Sequence, residues 1–175
     1  GIIIDGMVFR GAGGRAPEFG HMIVRANGEP CTCGNFGCAE VYTAPGAITR
    51  RAQRCLKTGV VSVLSECEAI TMREILDGAD AGDLLCRRLV TDATKYSAVV
   101  IWNLFQAFDP DIIVLGGGLL KAGGRFLGPL KERLSEYYTP EECAGTYEIR
   151  VSELGDNAGV LGAGKLAWQS IDAME

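Results

Sequence analysis

The sequence predicts a layered α/β domain in which parallel strands are covered by helices. Three observations predict it. Leu85, Leu89, Ala93, Tyr96, Val100, Leu104 and Ala107 recur at three- and four-residue intervals, so residues 81–108 read as a long buried helix of about 40 Å at about 1.5 Å per residue. The segment Asp111-Ile-Ile-Val-Leu115 then runs into Gly116-Gly-Gly118 and a helical stretch, which is the strand, glycine turn, helix order of α/β proteins. Finally, 175 residues with 47% hydrophobic content and 24 glycines suit one compact, loop-rich domain with its own core.

The elements follow in order. Residues 1–10 read as a hairpin, because Ile2 to Ile4 and Met7 to Phe9 are strand formers joined at Asp5-Gly6, a strong turn signal. Gly11 to Gly14 make a flexible loop, and Arg15-Ala-Pro17-Glu18 opens a turn of helix, since Pro is tolerated at a first helical position. Met22, Ile23 and Val24 form a short strand, and Asn27-Gly28 a turn. Glu40 to about Leu56 is helical, split at Pro45-Gly46. Ser65 with Glu68 forms a capping box for a helix through Leu76, ended by Asp77-Gly78. Pro110 stops the long helix. Phe126 to Tyr137 is the next helix, Tyr147 to Val151 the next strand, and Ala158 to Ala173 a closing helix with Leu161, Leu166 and Ala167 on one side.

Composition excludes some functions. The net charge of −5 is spread along the chain and the 17 basic residues form no stripe, so no nucleic-acid surface is expected within this domain. No apolar run nears twenty residues, and the first residues lack the charged, apolar and small-residue sections of a signal peptide. A soluble, cytoplasmic protein is expected. The chain opens without Met on Gly1-Ile-Ile-Ile, already a strand, and reads as a fragment cut inside an element.

The most informative stretch is Glu18-Phe-Gly-His21 with Cys31-Thr-Cys33-Gly-Asn-Phe-Gly-Cys38-Ala-Glu40. It holds the one histidine of the chain and three of its seven cysteines. His21, Cys31, Cys33 and Cys38 make the one-imidazole, three-thiolate set of a closed, tetrahedral zinc site. Gly34 and Gly37 suit the tight loop that would bring the sulfurs to one centre. The alternatives are reduced structural thiols or a disulfide, which is strained between Cys31 and Cys33. Cys55, Cys67, Cys86 and Cys143 have no metal spacing and read as buried or reduced thiols.

Glu18 and Glu40 flank the outer ligands. Folding onto a metal would place both carboxylates with the imidazole on one wall, a set of acceptors for the hydroxyls of a polyol such as a sugar; solvated surface glutamates are the alternative. Gly116, Gly117 and Gly118 lie at the carboxyl end of a strand, where backbone amides are open to a ligand, and Gly155 to Gly159 repeat the pattern. A plain tight turn explains either as well.

Together these residues resemble the ROK family of sugar kinases and related repressors. The likeness rests on Ile2 to Gly6, Gly11 to Gly14, Glu18 to His21, Cys31 to Glu40, Leu115 to Gly118 and Asp156 to Ala163, and so covers nearly the whole chain. It implies a ribonuclease-H-like domain of the hexokinase/actin-type ATPase fold with an inserted zinc loop. Residues 1–175 would be the second, C-terminal domain, with the first domain absent. It implies a parent protein that phosphorylates a glucose-like hexose with ATP and Mg²⁺, as a homodimer. Glu18, His21 and Glu40 would contact the sugar, His21 would also bind Zn²⁺ with Cys31, Cys33 and Cys38, and Gly117 and Gly118 would lie by the nucleotide.

The family's catalytic aspartate lies in the first domain, and neither Asp111 nor Asp156 corresponds to it. A sugar-sensing repressor of the same family is the second reading, and a zinc-stabilised structural domain the third. One departure touches the site: Pro17 stands where the family usually has Gly before the glutamate, and its ring fixes φ near about −65°.

Overall fold

The computed structural model describes residues 1–137 and 148–172, the side chains of 170–172 excepted. Residues 1–10 form the expected hairpin, β1 (Ile3–Ile4) and β2 (Met7–Val8), antiparallel with Ile3 opposite Val8 and Ile4 opposite Met7. Asp5 and Gly6 both take positive φ, 51° and 76°, the backbone that a two-residue hairpin turn demands.

The helices gather around one element. Helices α1 (Ala39–Thr43) and α2 (Pro45–Lys57) are separate because Ala44 is extended and Pro45 restarts the helix at its first position. Then come α3 (Met72–Asp80) and the long α4 (Leu84–Phe108). The core sits on α4, where Leu85, Leu89, Ala93, Ile101 and Phe105 are buried against Ile48 and Ala52 of α2, Ile75 of α3, and Phe126 and Leu130 from the later half. Asp83 caps α4 by accepting the Cys86 amide at 2.9 Å, and it also takes the Val63 amide at 3.0 Å. Burial pushes the Asp83 carboxyl up, but these amide donors outweigh it and hold its pKa below the ordinary value. Helix α4 ends at Asp109, in the left-handed region at φ 42° just before Pro110.

Strand β3 (Ile112–Leu115) pairs in parallel with β4 (Glu148–Val151), Ile112 opposite Glu148 and Leu115 opposite Val151. Between them lies α5 (Gly124–Ser135), and α6 (Ala158–Asp172) closes the described chain. Ile113, Leu115 and Ile149 pack on the core, while Val114 on the other face is exposed.

Several expectations need correction. The capping box is Thr71 with Glu74, not Ser65 with Glu68; the Thr71 hydroxyl accepts the Arg73 amide at 3.1 Å, and the Glu74 carboxylate accepts the Thr71 amide at 3.0 Å. Ser65 lies instead in a 3₁₀ turn, Val63–Glu66, capped by Ser62. Gly78 does not stop α3. It lies within the helix, where a Cβ would come 2.6 Å from the Cys86 sulfur, so glycine lets α3 lie directly on α4. Residues 15–18 form no helix; a 3₁₀ turn, Phe19–His21, follows them. Met22 to Val24 form no strand, only a single antiparallel bridge of Ile23 to Cys38. The broad covered sheet is, among the described residues, a parallel pair covered on one face and a separate hairpin. Leu161 and Leu166, expected along one side of the closing helix, are both exposed on α6.

Cys55, Cys67 and Cys86 are free thiols as expected, and burial, then the neighbouring Asp83, pushes the Cys86 pKa up to about 12. Cys143 lies outside the described residues. Among the described residues no helix is long and apolar enough to cross a membrane.

Candidate functional site

Backbone hydrogen bonds fold residues 18–40 onto one centre. The Met22 carbonyl accepts the Ala39 amide at 2.8 Å and the Gly37 carbonyl accepts the Val24 amide at 2.9 Å, which lays the segment after His21 beside Cys38. The Cys31 amide donates to the Asn35 carbonyl at 2.8 Å and the Gly34 amide to the Cys31 carbonyl at 3.0 Å, closing the loop between the thiols. Two glycines are required by contact. A Cβ on Gly37, at φ 74°, would overlap the Arg25 carbonyl oxygen, and one on Gly28 would come 2.7 Å from the Gly37 Cα.

The result is a cluster of four donors. The ligand atoms of His21, Cys31, Cys33 and Cys38 all lie within 4.8 Å of one another. His21 Nδ1 is 3.7 Å from the Cys31 sulfur, and the Cys33 and Cys38 sulfurs are 3.7 Å apart. A disulfide requires about 2.05 Å. Zinc–sulfur bonds of about 2.3 Å in a tetrahedron place sulfurs about 3.7–3.8 Å apart, so donor type, number and spacing all fit zinc.

Cys38 is fully buried, and burial, reinforced by hydrogen bonding to Cys33 and Cys31, pushes its pKa up to about 12; the Asn35 amide lowers that of the exposed Cys33. A buried thiol that resists ionisation needs a cation in place of its proton, which is how metal binding and deprotonation couple.

Glu40, at the second position of α1, brings its carboxylate 3.6 Å from His21 Nδ1. A Cβ on Gly20 would meet the Glu40 side chain at 3.5 Å, so the turn carrying His21 lies against Glu40. Glu18 is different: it is exposed, and among the described residues its carboxylate makes no hydrogen bond or ion pair. Only its carbonyl is engaged, by the His21 amide at 3.0 Å. The peptide before Pro17 is cis.

A cavity of about 280 Å³ adjoins the cluster. Gly20, Ala39 and Thr43 line one wall, and Gly116, Gly117 and Gly118 another, with Ser97 and Ile101 of α4 between. The two segments singled out in the sequence therefore border one largely apolar space. Lys121, next in the chain to the lining residue Leu120, pairs with Asp156 at 2.9 Å and joins the turns that follow β3 and β4.

Sequence reasoning missed the support beneath the loop. Tyr42 is fully buried, its ring packs tilted against Tyr96 with centroids 4.2 Å apart, and its hydroxyl accepts the Glu29 amide at 2.8 Å. Arg51, also buried, donates to Asp92 at 2.6 Å. No spacing rule links Glu29, Tyr42, Arg51 and Asp92, so only the weak hint of charges at core-periodic positions was available.

Fold and cluster define a mixed α/β domain with an inserted one-histidine, three-cysteine loop. The chain belongs to the ROK family, whose model matches residues 1–170. It is 34% identical to a glucokinase of Halalkalibacterium halodurans over 100% of its length and 54% of that protein. To a xylose repressor of Caldicellulosiruptor bescii it is 32% identical over 93% of its length and 41% of the repressor. Among solved structures, a ROK hexokinase from Thermus thermophilus superposes with a TM-score of 0.82 at 31% identity, covering 98% of this chain and 54% of that one. A ROK family glucokinase from Streptomyces griseus in complex with glucose and AMPPNP gives 0.75 at 29%, covering 95% and 56%. The chain thus spans about half the length of the kinases it matches.

Proposed function

We propose that this chain is the sugar-recognising half of an ATP-dependent hexose kinase, a second domain of ribonuclease-H-like topology in the hexokinase/actin-type fold. One observation carries the reading: Glu40 and His21 lie together on a four-donor metal cluster, and their chain neighbours Ala39 and Gly20 line the cavity bordered by the Gly116–Gly118 turn. The kinship with glucokinases supports it.

In this reading Glu40, His21 and Glu18 bind the hydroxyls of a glucose-like hexose. Carboxylates accept from hydroxyls, and the imidazole nitrogen turned away from the thiolates exchanges a hydrogen bond with one. His21, Cys31, Cys33 and Cys38 hold a structural zinc ion, which with four protein ligands has no open position and supplies folding free energy rather than a reactive water. Gly117 and Gly118 let the nucleotide approach the backbone, and Mg²⁺ accompanies the ATP phosphates. The proton acceptor for the sugar hydroxyl is not assigned to this chain; Asp156 is held by Lys121. The parent protein is cytoplasmic and dimeric in the same reading.

The test is direct. Calorimetry with glucose should give binding that Glu40→Gln abolishes, and the full-length protein should phosphorylate glucose while residues 1–175 alone do not. Phosphorylation by this chain alone would overturn the division of labour. The match to a xylose repressor over 93% of the chain supports a second reading, a sugar-sensing repressor. A full-length protein that binds operator DNA in a sugar-dependent way, with no phosphoryl transfer, would establish that alternative instead.

A further inference from the structure

The residue that ties the metal loop to the rest of the domain touches neither metal nor cavity. We propose that Arg51 is a positioning residue: one buried guanidinium sets the register of the zinc loop and, through Tyr42, the placement of the Glu40 carboxylate.

Glu29 links the metal loop to both Tyr42 and Arg51. Its amide donates to the Tyr42 hydroxyl at 2.8 Å, and its carbonyl accepts the Gly37 amide at 2.8 Å. Its carboxylate accepts from Arg54 at 2.8 Å and lies 4.0 Å from Arg51. Glu29 is two residues before Cys31 and is bonded to the residue before Cys38, so its position fixes both ends of the cysteine loop. Tyr42 is two residues beyond Glu40 on α1, so its position fixes that carboxylate.

Arg51 holds both partners. Its guanidinium lies over the Tyr42 ring at 4.8 Å, bonds Asp92 of α4 at 2.6 Å and faces Glu29, while the side chain is only 5% exposed. One group thereby joins α2, α4, α1 and the loop. A planar fork that stacks and donates at once can do this, and a lysine ammonium, a point charge, cannot.

Stability alone does not account for such a residue. A buried ion pair is often no better than well-packed apolar side chains, and Arg51 Nη1 is buried without a hydrogen-bond partner among the described residues. An unsatisfied donor is costly to keep. What an apolar replacement would not reproduce is the direction in which Tyr42 and Glu29 are held.

The metal half of this inference is independent of the hexose reading, and the sugar half rests on it. The test is zinc affinity by competition with a chromophoric chelator, at a temperature where circular dichroism shows each variant folded. Arg51→Met and Asp92→Asn should weaken zinc about 10–100-fold, the scale of groups that orient metal ligands. Arg51→Lys keeps a positive charge against Asp92 and should fall in the same range, so it carries the test if the Met variant does not fold. Arg50→Met, on the exposed neighbour, should change nothing, and Ala98→Gly in the core of α4 should lower the melting temperature without weakening zinc. Zinc affinity within twofold of the parent in Arg51→Lys, or an equal loss in Ala98→Gly, overturns the proposal. Glucose titration separates the two ideas: no glucose binding by the unaltered protein defeats the hexose reading and leaves the Arg51 result standing.

Discussion

Two glycine-rich segments border the same cavity, and their glycines exist for opposite reasons. In the metal loop Gly37 and Gly28 are forced by the chain itself, because a Cβ at either would run into backbone already placed there. In the turn after β3, a Cβ on Gly117 or Gly118 would meet no described atom within 4 Å. Gly117 still needs its positive φ of 97°, but Gly118 has neither a positive φ nor a neighbour. Glycine packed against its own chain is architecture. Glycine facing open space leaves room for something else, and in the proposed function that is the nucleotide.

The comparison is broken most severely at Gly37. Gly37→Ala combines a left-handed backbone with overlap on the Arg25 carbonyl and should cost about 4 kcal/mol or more. Chemical denaturation and zinc content would both register it. Gly34→Ala in the same loop, at φ 92° but with nothing within 4 Å, should cost only about 1–2 kcal/mol. If the two variants are equally stable, contact is not what selects glycine in the loop.

Removing the metal tests the loop from the other side. With free zinc at about a thousand times its dissociation constant, binding to the folded state alone adds about 4 kcal/mol. At about 2–4 °C per kcal/mol for a chain of this size, chelation should lower the melting temperature by roughly 8–16 °C. His21→Ala should remove most of that difference, whereas Gly118→Ala should leave it intact. The core on α4 lies apart from the cluster, so the apo protein should keep its helical signal, unlike a zinc finger.

An effect of intermediate size separates the loop from the helical frame beneath it. Asp83 caps α4 and ties it to the preceding turn, and its folded pKa is lowered. A carboxylate with a depressed folded pKa contributes stability above its unfolded pKa, and that contribution disappears as the pH falls through the folded value. Stability should therefore drop below the ordinary aspartate pKa of 3.8, and Asp83→Ala, costing about 1–2 kcal/mol at neutral pH, should flatten that acid limb. Denaturation curves at pH 7 and pH 3 would check it.

What could be read from the sequence follows the same division. The four donors of the cluster, the hairpin turn and the long helix are local patterns, and the structure brings each about as the spacing implied. The errors arose where tertiary contact overrides a local signal. Two capping boxes competed within ten residues, and the one formed is at Thr71, while Ser65 is taken up in the 3₁₀ turn capped by Ser62. Gly78 looked like a stop and is a contact with Cys86. Glu29, Tyr42, Arg51 and Asp92 come from four separate segments, and nothing along the chain links them. Glu18 and Glu40 looked equivalent, yet only Glu40 is drawn to the imidazole.

The smallest expected change in stability is the most discriminating for function. Gly118 has an ordinary backbone and open surroundings, so Gly118→Ala should alter stability by less than about 0.5 kcal/mol, as for a substitution that meets no neighbour. A methyl group there would nonetheless project at the turn lining the cavity. If a nucleotide approaches this backbone, the substitution should weaken ATP binding by the full-length protein about tenfold, on the order of 1.4 kcal/mol, while glucose binding and zinc content stay unchanged. Equal nucleotide affinity would mean that the open glycine leaves room for nothing, and that the turn after β3 is architecture too.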